Sequence, residues 1–138
     1  MAMTVQISRC VIELIQRAAA EAAPREACGL LFGEDDEISA WQQAENVADR
    51  PENQFEIDPA ALFAALRAER AGGAKIAGYW HSHPSGDAAP SATDAAMAVP
   101  DGKLWLIVAG SVLTLWRAVE SGEIHGRFDA VAVSGNAN

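Results

Sequence analysis

The chain has 138 residues, half of them hydrophobic, and its 10 Lys and Arg against 19 Asp and Glu give a formal net charge of −9. This length predicts one domain whose core needs no disulfides or oligomer to fold. The acidic balance argues against nucleic acid as a partner, because Lys and Arg side chains supply most of the affinity for DNA and RNA.

The sequence indicates neither export nor membrane insertion. Arg9, Glu13 and Arg17 interrupt the first apolar positions and break the apolar core that a signal peptide needs. The longest apolar stretch, 104–116, is shorter than the roughly 18 residues that span a bilayer. Two cysteines are too few for a disulfide framework. We therefore expect a cytoplasmic protein with reduced thiols.

The first part of the chain predicts a helix followed by a strand hairpin. Apolar residues at helical spacing predict an amphipathic helix from about Ser8 to Ala23. The apolar run 28–32 predicts a buried strand, and a second strand follows it through Trp41. The acidic residues 34–37 between them predict a solvated turn.

A polar loop and a second helix are predicted next. Residues 46–58 are mostly polar and favour a loop. Asp58 followed by Pro59 is typical of an N-cap with proline at the first helical position, and residues 71–73 end the helix. We expect this helix to point its large apolar side chains inward, namely Leu62, Phe63 and Leu66.

The second half of the chain predicts mainly strands. Residues 75–83 form a strand by their β-branched and aromatic content, and a short helix is expected over 91–98. Two apolar runs on either side of Gly110 and Ser111 predict a hairpin. Together these elements predict an α/β fold with a central mixed β-sheet flanked by helices.

The C-terminal part carries weaker signals. A further strand is expected within 123–133, with His125 as a surface strand residue. Residues 1–133 then make up the domain, and 134–138 are expected to form a disordered tail.

Two histidines on the predicted 75–83 strand could bind a metal. Side chains at i and i+2 of a strand share a face, so His81 and His83 point the same way about 6.6 Å apart along the strand. Pro84 keeps His83 extended, because a residue before proline is biased toward that region. Trp80 and Ser82 must then face the opposite side. His-x-His pairs also occur on ordinary strands, so the pair alone does not establish a metal site.

Asp94 is the leading candidate for a third ligand. The turn around Gly86 lets the chain fold back, and a catalytic zinc commonly takes three protein ligands and a water. Two imidazoles and a carboxylate suit zinc better than calcium or magnesium. Ser91 and Asp94 also match a capping box, which is the better interpretation of those two residues alone.

The spacing of these residues resembles the JAMM (MPN+) zinc metalloprotease family. His81-x-His83, seven intervening residues and Ser91-x-x-Asp94 match that motif, and the segment Glu26-Ala-Cys-Gly-Leu-Leu-Phe-Gly33 is similar to the family's upstream glutamate segment. The resemblance implies the MPN/JAB fold, which is similar to the cytidine-deaminase-like architecture. It also implies one zinc ion per chain, held by His81, His83 and Asp94.

Two catalytic roles follow from the same resemblance. Glu26 matches the general base that activates the zinc water, and Ser91 matches the serine that stabilises the oxyanion. Without the resemblance, Glu26 is most simply a solvated residue after a helix. Cys28 is more simply a small buried strand residue than a nucleophile or ligand.

The spacing of the motif resembles the minimal prokaryotic form of this family. Only eight residues separate Asp94 from Lys103, which leaves no room for the long insertion found in eukaryotic deubiquitinating members. The resemblance implies a zinc isopeptidase or C-terminal peptidase acting on the Gly-Gly tail of a ubiquitin-like or sulfur-carrier protein. The sequence leaves the oligomeric state open.

Two alternatives remain at this stage. The segment from His81 to Asp94 is also similar to the RadC-like branch, which is associated with DNA repair, although Ser82 and the Glu26 segment favour the peptidase branch. A non-catalytic module that uses the fold to bind a protein is the other alternative. All five motif positions are filled, which favours the enzyme.

Overall fold

Seven strands form a mixed sheet that closes into a barrel in the computed structural model, which describes residues 4–136. The strand order is β1-β3-β2-β4-β5-β6-β7, and β7 returns to pair with β1. Three of these pairings are parallel, namely β1 with β3, β1 with β7 and β4 with β5. The strands are β1 (Thr4–Ser8), β2 (Cys28–Glu34), β3 (Glu37–Ala44), β4 (Ile76–Ser82), β5 (Leu104–Ala109), β6 (Val112–Gly122) and β7 (Gly126–Asn136).

Three helices pack on this sheet, and each begins at a side-chain cap. Helix α1 (Arg9–Ala22) starts where Ser8 Oγ accepts a hydrogen bond from the N–H of Val11 at 3.1 Å. Asp58 caps α2 (Pro59–Arg70) in the same way. Helix α3 (Ala92–Met97) is the shortest, and Ser91 caps it. The predicted helix starts at Ser8, Asp58 and Ser91 are therefore confirmed.

The two faces of the sheet bury separate apolar clusters. The first cluster packs α1 against Leu31, Trp80 and Leu106. The second joins Leu30 and Trp105 to α2, α3 and the segment before α2. Adjacent residues of a strand fall into different clusters because side chains alternate across the sheet. The predicted mixed sheet flanked by helices is confirmed, and its closure leaves no free edge in the barrel order of the described strands.

Three expectations about the chain need correction. The predicted disordered tail is wrong up to Asn136, because residues 134–136 belong to β7 and pair with β1. Strand β1 itself was not predicted from the sequence. Residues 137 and 138 lie outside the described part of the chain. His125 is exposed as predicted, but it lies in the turn between β6 and β7 with φ of 52°. Phe63 points outward and is 62 % exposed.

None of the helices within residues 4–136 is long and apolar enough to cross a membrane.

Candidate metal centre and active site

The two histidines meet at the end of β4. His81 lies in β4 opposite Cys28 of β2 and beside Ile107 of β5, and it is fully buried. His83 follows the strand, and its N–H donates to Val108 O at 2.8 Å, which continues the parallel pairing. Their Nε2 atoms are 3.0 Å apart. The predicted shared face of His81 and His83 is confirmed. Trp80 points to the opposite face of the sheet, where it lies in the first apolar cluster with α1.

Asp94 completes a triangle of ligand atoms. Its Oδ2 lies 3.2 Å from His81 Nε2 and 3.1 Å from His83 Nε2, and its side chain is buried. A tetrahedral zinc with bonds of about 2.0 Å places its ligand atoms about 3.3 Å apart. The three atoms are therefore spaced for one small cation, and their donor types suit zinc.

The turn after His83 orients that imidazole. Gly86, with φ of 89°, donates its N–H to His83 O and reverses the chain. The turn brings Asp87 O to 2.7 Å from His83 Nδ1. A carbonyl only accepts, so Nδ1 carries a proton. The neutral ring then has its lone pair on Nε2, the atom that a metal would bind, whereas the protonated ring donates from Nε2 to Asp94.

Ser91 and Asp94 form the capping box that their spacing predicts. Ser91 Oγ accepts from the N–H of Asp94 at 2.9 Å, and the N–H of Ser91 donates to Asp94 Oδ2 at 3.0 Å. The cap thus also orients the oxygen that faces both histidines. Accepting a hydrogen bond does not use the hydroxyl hydrogen of Ser91, so this donor stays compatible with a second role.

Glu26 lies beside the histidines and is only 5 % exposed. One of its carboxylate oxygens and one ring nitrogen each of His81 and His83 lie within 4.8 Å of one another. Burial raises the pKa of Glu26, the charge of His83 partly offsets this, and the charge of Asp94 raises it further, to about 7. The interpretation of Glu26 as a solvated residue is therefore wrong.

The charges of the triangle depend on one another. Burial lowers the pKa of His81, although its hydrogen bond to Asp94 acts in the opposite direction. Burial also lowers the pKa of His83, but hydrogen bonds to Asp94 and to Asp87 O outweigh it and the net pKa is raised. Burial raises the pKa of Asp94, and the bonds from both histidines outweigh this and hold it well below its usual range. Asp94 therefore stays a carboxylate.

Two polar atoms of this site have no hydrogen-bond partner among residues 4–136. They are Glu26 Oε1 and His81 Nδ1, and both are buried. A buried polar atom without a partner costs about 1–3 kcal/mol. Such a cost is expected at a site where buried polar groups are kept for a ligand or a reaction. The neighbouring Nε2 and Oδ2 atoms of the triangle are the ones that a zinc ion would bind.

Aromatic rings that the sequence did not predict form a wall of the site. Phe55 is 4 % exposed and stacks on the His81 ring, with centroids 4.2 Å apart and an interplanar angle of 20°. The Trp105 ring lies on another side of His81, nearly perpendicular to its ring, with the ring centroids 5.7 Å apart. Phe55 and Ile57 are the two largest apolar residues in the stretch predicted as a polar loop, and both are buried. Their presence could have indicated that the segment folds onto the core.

Cys28 is close to the site without joining the triangle. Its Sγ points at the carbonyls of Ala44 and Glu45, each 3.8 Å away. Burial raises the pKa of Cys28 to about 12, and the charge of Glu26 contributes. A thiol with this pKa is a poor nucleophile, so its interpretation as a buried strand residue is confirmed.

Comparison with known proteins agrees with this geometry. Residues 8–120 match the family of prokaryotic homologs of the JAB domain, and the chain belongs to that family. A desampylase of Haloferax volcanii is 35 % identical over 99 residues, which cover 70 % of this chain and 71 % of that protein. A probable TtuB-protein conjugate cleaving protease of Thermus thermophilus is 32 % identical over 92 residues, covering 67 % of this chain and 62 % of that protein.

Solved structures share the fold. A protein from Desulfitobacterium hafniense superposes with a TM-score of 0.81 at 24 % identity, covering 97 % of this chain and 94 % of that chain. A JAB1/MPN domain protein from Archaeoglobus fulgidus superposes with a TM-score of 0.59 at 23 % identity, covering 95 % and 98 %. The predicted MPN/JAB fold is confirmed.

Proposed function

We propose that this protein is a zinc-dependent isopeptidase or C-terminal peptidase that hydrolyses an amide bond at the Gly-Gly tail of a ubiquitin-like or sulfur-carrier protein. The triangle of His81 Nε2, His83 Nε2 and Asp94 Oδ2, with separations of 3.0–3.2 Å, is the observation that carries the proposal. The names of the two relatives, a desampylase and a conjugate cleaving protease, support the substrate class.

His81, His83 and Asp94 would hold one zinc ion per chain. Zinc, when bound, would supply a Lewis acid for the scissile carbonyl and acidify a water. The buried position of the three ligands keeps bulk water away and strengthens electrostatic interactions at the reacting atoms. Glu26 is the other carboxylate within reach, but its pKa of about 7 suits a group that exchanges protons better than a permanently ionised ligand.

Glu26 would act as the general base and then as the general acid. With a pKa of about 7, its carboxylate can take a proton from the attacking water at neutral pH. Its Oε1, which has no partner among the described residues, is the atom available for this transfer. The protonated carboxyl would then give the proton to the leaving amine, which departs neutral.

Ser91 would donate its hydroxyl hydrogen to the oxygen of the scissile carbonyl as negative charge develops there. Its Oγ is held by the N–H of Asp94 at 2.9 Å, so the donor is positioned before the substrate binds. Such preorganised donors stabilise a transition state because they need no reorientation during the reaction.

An open groove next to the site could take the tail. It lies between residues 48–56 and α3, has a volume of about 640 Å³, and includes Phe55, the residue that stacks on His81. Small side chains line much of it, namely Ala48, Ala92, Thr93 and Ala96. We expect a narrow chain ending in Gly-Gly to bind along these small side chains. We also infer a cytoplasmic location, which the two free cysteines support.

The test is cleavage of a defined fusion. A ubiquitin-like sulfur carrier that ends in Gly-Gly, joined through an amide to a reporter peptide, is incubated with the protein, and the products are measured by mass spectrometry. We expect cleavage after the second glycine, loss of cleavage with a chelator, recovery with zinc, and about one zinc per chain by elemental analysis. Zinc-loaded protein that leaves every such fusion intact would overturn the proposal.

A matched pair of carboxylate variants tests the mechanism. Glu26→Gln removes the base, and we expect kcat to fall about 10²–10⁴-fold while zinc content is retained. Glu45→Gln makes the same change at an exposed position on the surface and should leave kcat within about twofold. Full activity of Glu26→Gln would contradict the assigned role.

A further inference from the structure

Asn46 is a buried polar residue in the segment between β3 and α2, with only 8 % of its surface exposed. Its side-chain amide makes four hydrogen bonds to backbone atoms. Nδ2 donates to Glu26 O at 2.9 Å and to Gln54 O at 3.0 Å. Oδ1 accepts from the N–H of Ala48 at 3.0 Å and of Glu56 at 3.1 Å. Both donors and both acceptor positions of the amide are thus used.

One of these bonds fixes the backbone of the catalytic carboxylate. The carbonyl of Glu26 accepts from Asn46, and its N–H donates to Pro51 O at 2.6 Å, in the same segment. On the next residue, the N–H of Ala27 donates to Ser82 Oγ at 2.8 Å. No hydrogen bond from a described residue holds Glu26 Oε1. The direction of the Glu26 side chain therefore depends on these backbone contacts.

Two other bonds fix the ring that covers His81. Gln54 and Glu56 lie on either side of Phe55 in the chain, and Asn46 bonds to the carbonyl of the first and the N–H of the second. These bonds hold the backbone on both sides of Phe55. Its ring lies 4.2 Å from that of His81, nearly parallel to it.

We propose that Asn46 is a positioning residue for the hydrolysis proposed above, because it holds the Glu26 backbone and the Phe55 ring in one fixed arrangement. It touches neither the candidate metal ligands nor the reacting atoms. The side chain acts as a bridge that sets the distance between the proton-transfer group and the imidazole under Phe55. This inference rests on the proposed function, but the bridge itself can be tested without a substrate.

Two substitutions separate the contacts of this bridge. Asn46→Ala removes all four hydrogen bonds. Asn46→Asp keeps an oxygen for the N–H groups of Ala48 and Glu56 but places a second oxygen against the carbonyls of Glu26 and Gln54. In both variants we expect kcat to fall about 10–100-fold, because a catalytic group that is displaced by about 1 Å loses up to this much rate, with KM within about twofold and zinc content unchanged.

A distant variant controls for simple loss of stability. Arg117 is a buried residue whose guanidinium bonds Asp35 and Gly102 O at the other end of β5. Arg117→Gln should lower the melting temperature comparably while kcat stays within about twofold of wild type. If Arg117→Gln loses as much kcat as Asn46→Ala at equal melting temperature, or if Asn46→Ala keeps full kcat, the inference is overturned.

Amide hydrogen exchange tests the bridge without any substrate. In Asn46→Ala we expect the amides of Glu26, Ala48 and Glu56 to exchange at least about tenfold faster, while the amides of β5 keep their protection. If they do so and no fusion is cleaved by the wild type, the proposed function fails and the bridge stands. If the wild type cleaves but these amides keep their protection in Asn46→Ala, the bridge fails and the proposed function stands.

Discussion

Two polar clusters lie at opposite ends of β5 and differ in how their polar groups are paired. At the start of β5, Arg117 donates to Asp35 Oδ1 at 3.0 Å, to Gly102 O at 2.9 Å and to Asp35 O at 3.3 Å. Near the other end, two imidazoles and a carboxylate point their Nε2 and Oδ2 atoms at one another. The first cluster joins the donors of one guanidinium to oxygen acceptors, whereas the second brings three potential metal-ligand atoms together.

The difference shows what each cluster is for. The Arg117 cluster ties the β2–β3 turn to the loop before β5 through hydrogen bonds within the folded chain. The candidate metal centre includes Glu26 Oε1 and His81 Nδ1, buried atoms without a partner among the described residues. A protein keeps such costly groups where a ligand or a reaction uses them. The first cluster should therefore govern stability, and the second should govern zinc binding and activity.

The largest expected effect is a loss of zinc affinity when the cluster of His81, His83 and Asp94 is changed. Asp94→Asn removes the only charged atom of the triangle while keeping the shape of the side chain, so zinc affinity should fall more than about 100-fold, beyond the range for outer partners. Zinc at 1,000 times its Kd stabilises a wild-type fold by about 4 kcal/mol, and at the same zinc concentration this gain should fall to about 1.4 kcal/mol or less in the variant. Elemental analysis and thermal unfolding with and without zinc measure both quantities. Zinc retention at wild-type affinity would remove Asp94 from the ligand set.

A smaller effect is expected for Ser91, which has two roles. Ser91→Ala removes the cap of α3, worth about 0.5–2 kcal/mol, and the proposed donor to the substrate oxygen, worth about 10²–10³ in kcat. Ser91→Asp keeps a capping oxygen without a hydroxyl hydrogen. If donation matters, Ser91→Asp restores stability but not kcat in the cleavage assay. Recovery of kcat together with stability would leave Ser91 with the capping role alone.

The smallest effect on activity is expected at the Arg117 cluster. Arg117→Gln breaks hydrogen bonds from a buried guanidinium to the Asp35 carboxylate and to the carbonyl of half-buried Gly102, so we expect a loss of about 1–3 kcal/mol in the free energy of unfolding. For a chain of this size, the melting temperature should fall by about 3–12 °C. Zinc affinity should stay within about twofold of wild type. Zinc loss equal to that of Asp94→Asn would mean that the two ends are not independent.

Much of the site could be predicted from local sequence. The i and i+2 spacing of His81 and His83 predicts a shared face because strand side chains alternate. The i and i+3 spacing of Ser91 and Asp94 predicts a capping box, and the structure contains both of its hydrogen bonds. Pattern resemblance added Glu26 to the site, and the structure places its carboxylate beside both histidines. These features depend on residues close in sequence or on a recognised motif.

Contacts between distant segments could not be predicted in the same way. β1 was missed because five residues carry little periodicity, and its position depends on pairing with β3 and β7. The predicted C-terminal tail failed for the same reason, since residues 134–136 become a strand only beside β1. Phe63 was expected inward on helical spacing, but it lies on the outer side of α2.

The sequence by itself determined the kind of chemistry, because His81, His83 and Asp94 lie within 14 residues and local geometry brings such spacing together. Only the tertiary structure decided how the site is held and tuned. The pKa of Glu26 rises to about 7 through burial among residues from several elements. Asn46 meets Glu26 across 20 residues of chain, and Phe55 covers His81 across 26. Burial and long-range hydrogen bonds are properties of the folded chain, and no local pattern contains them.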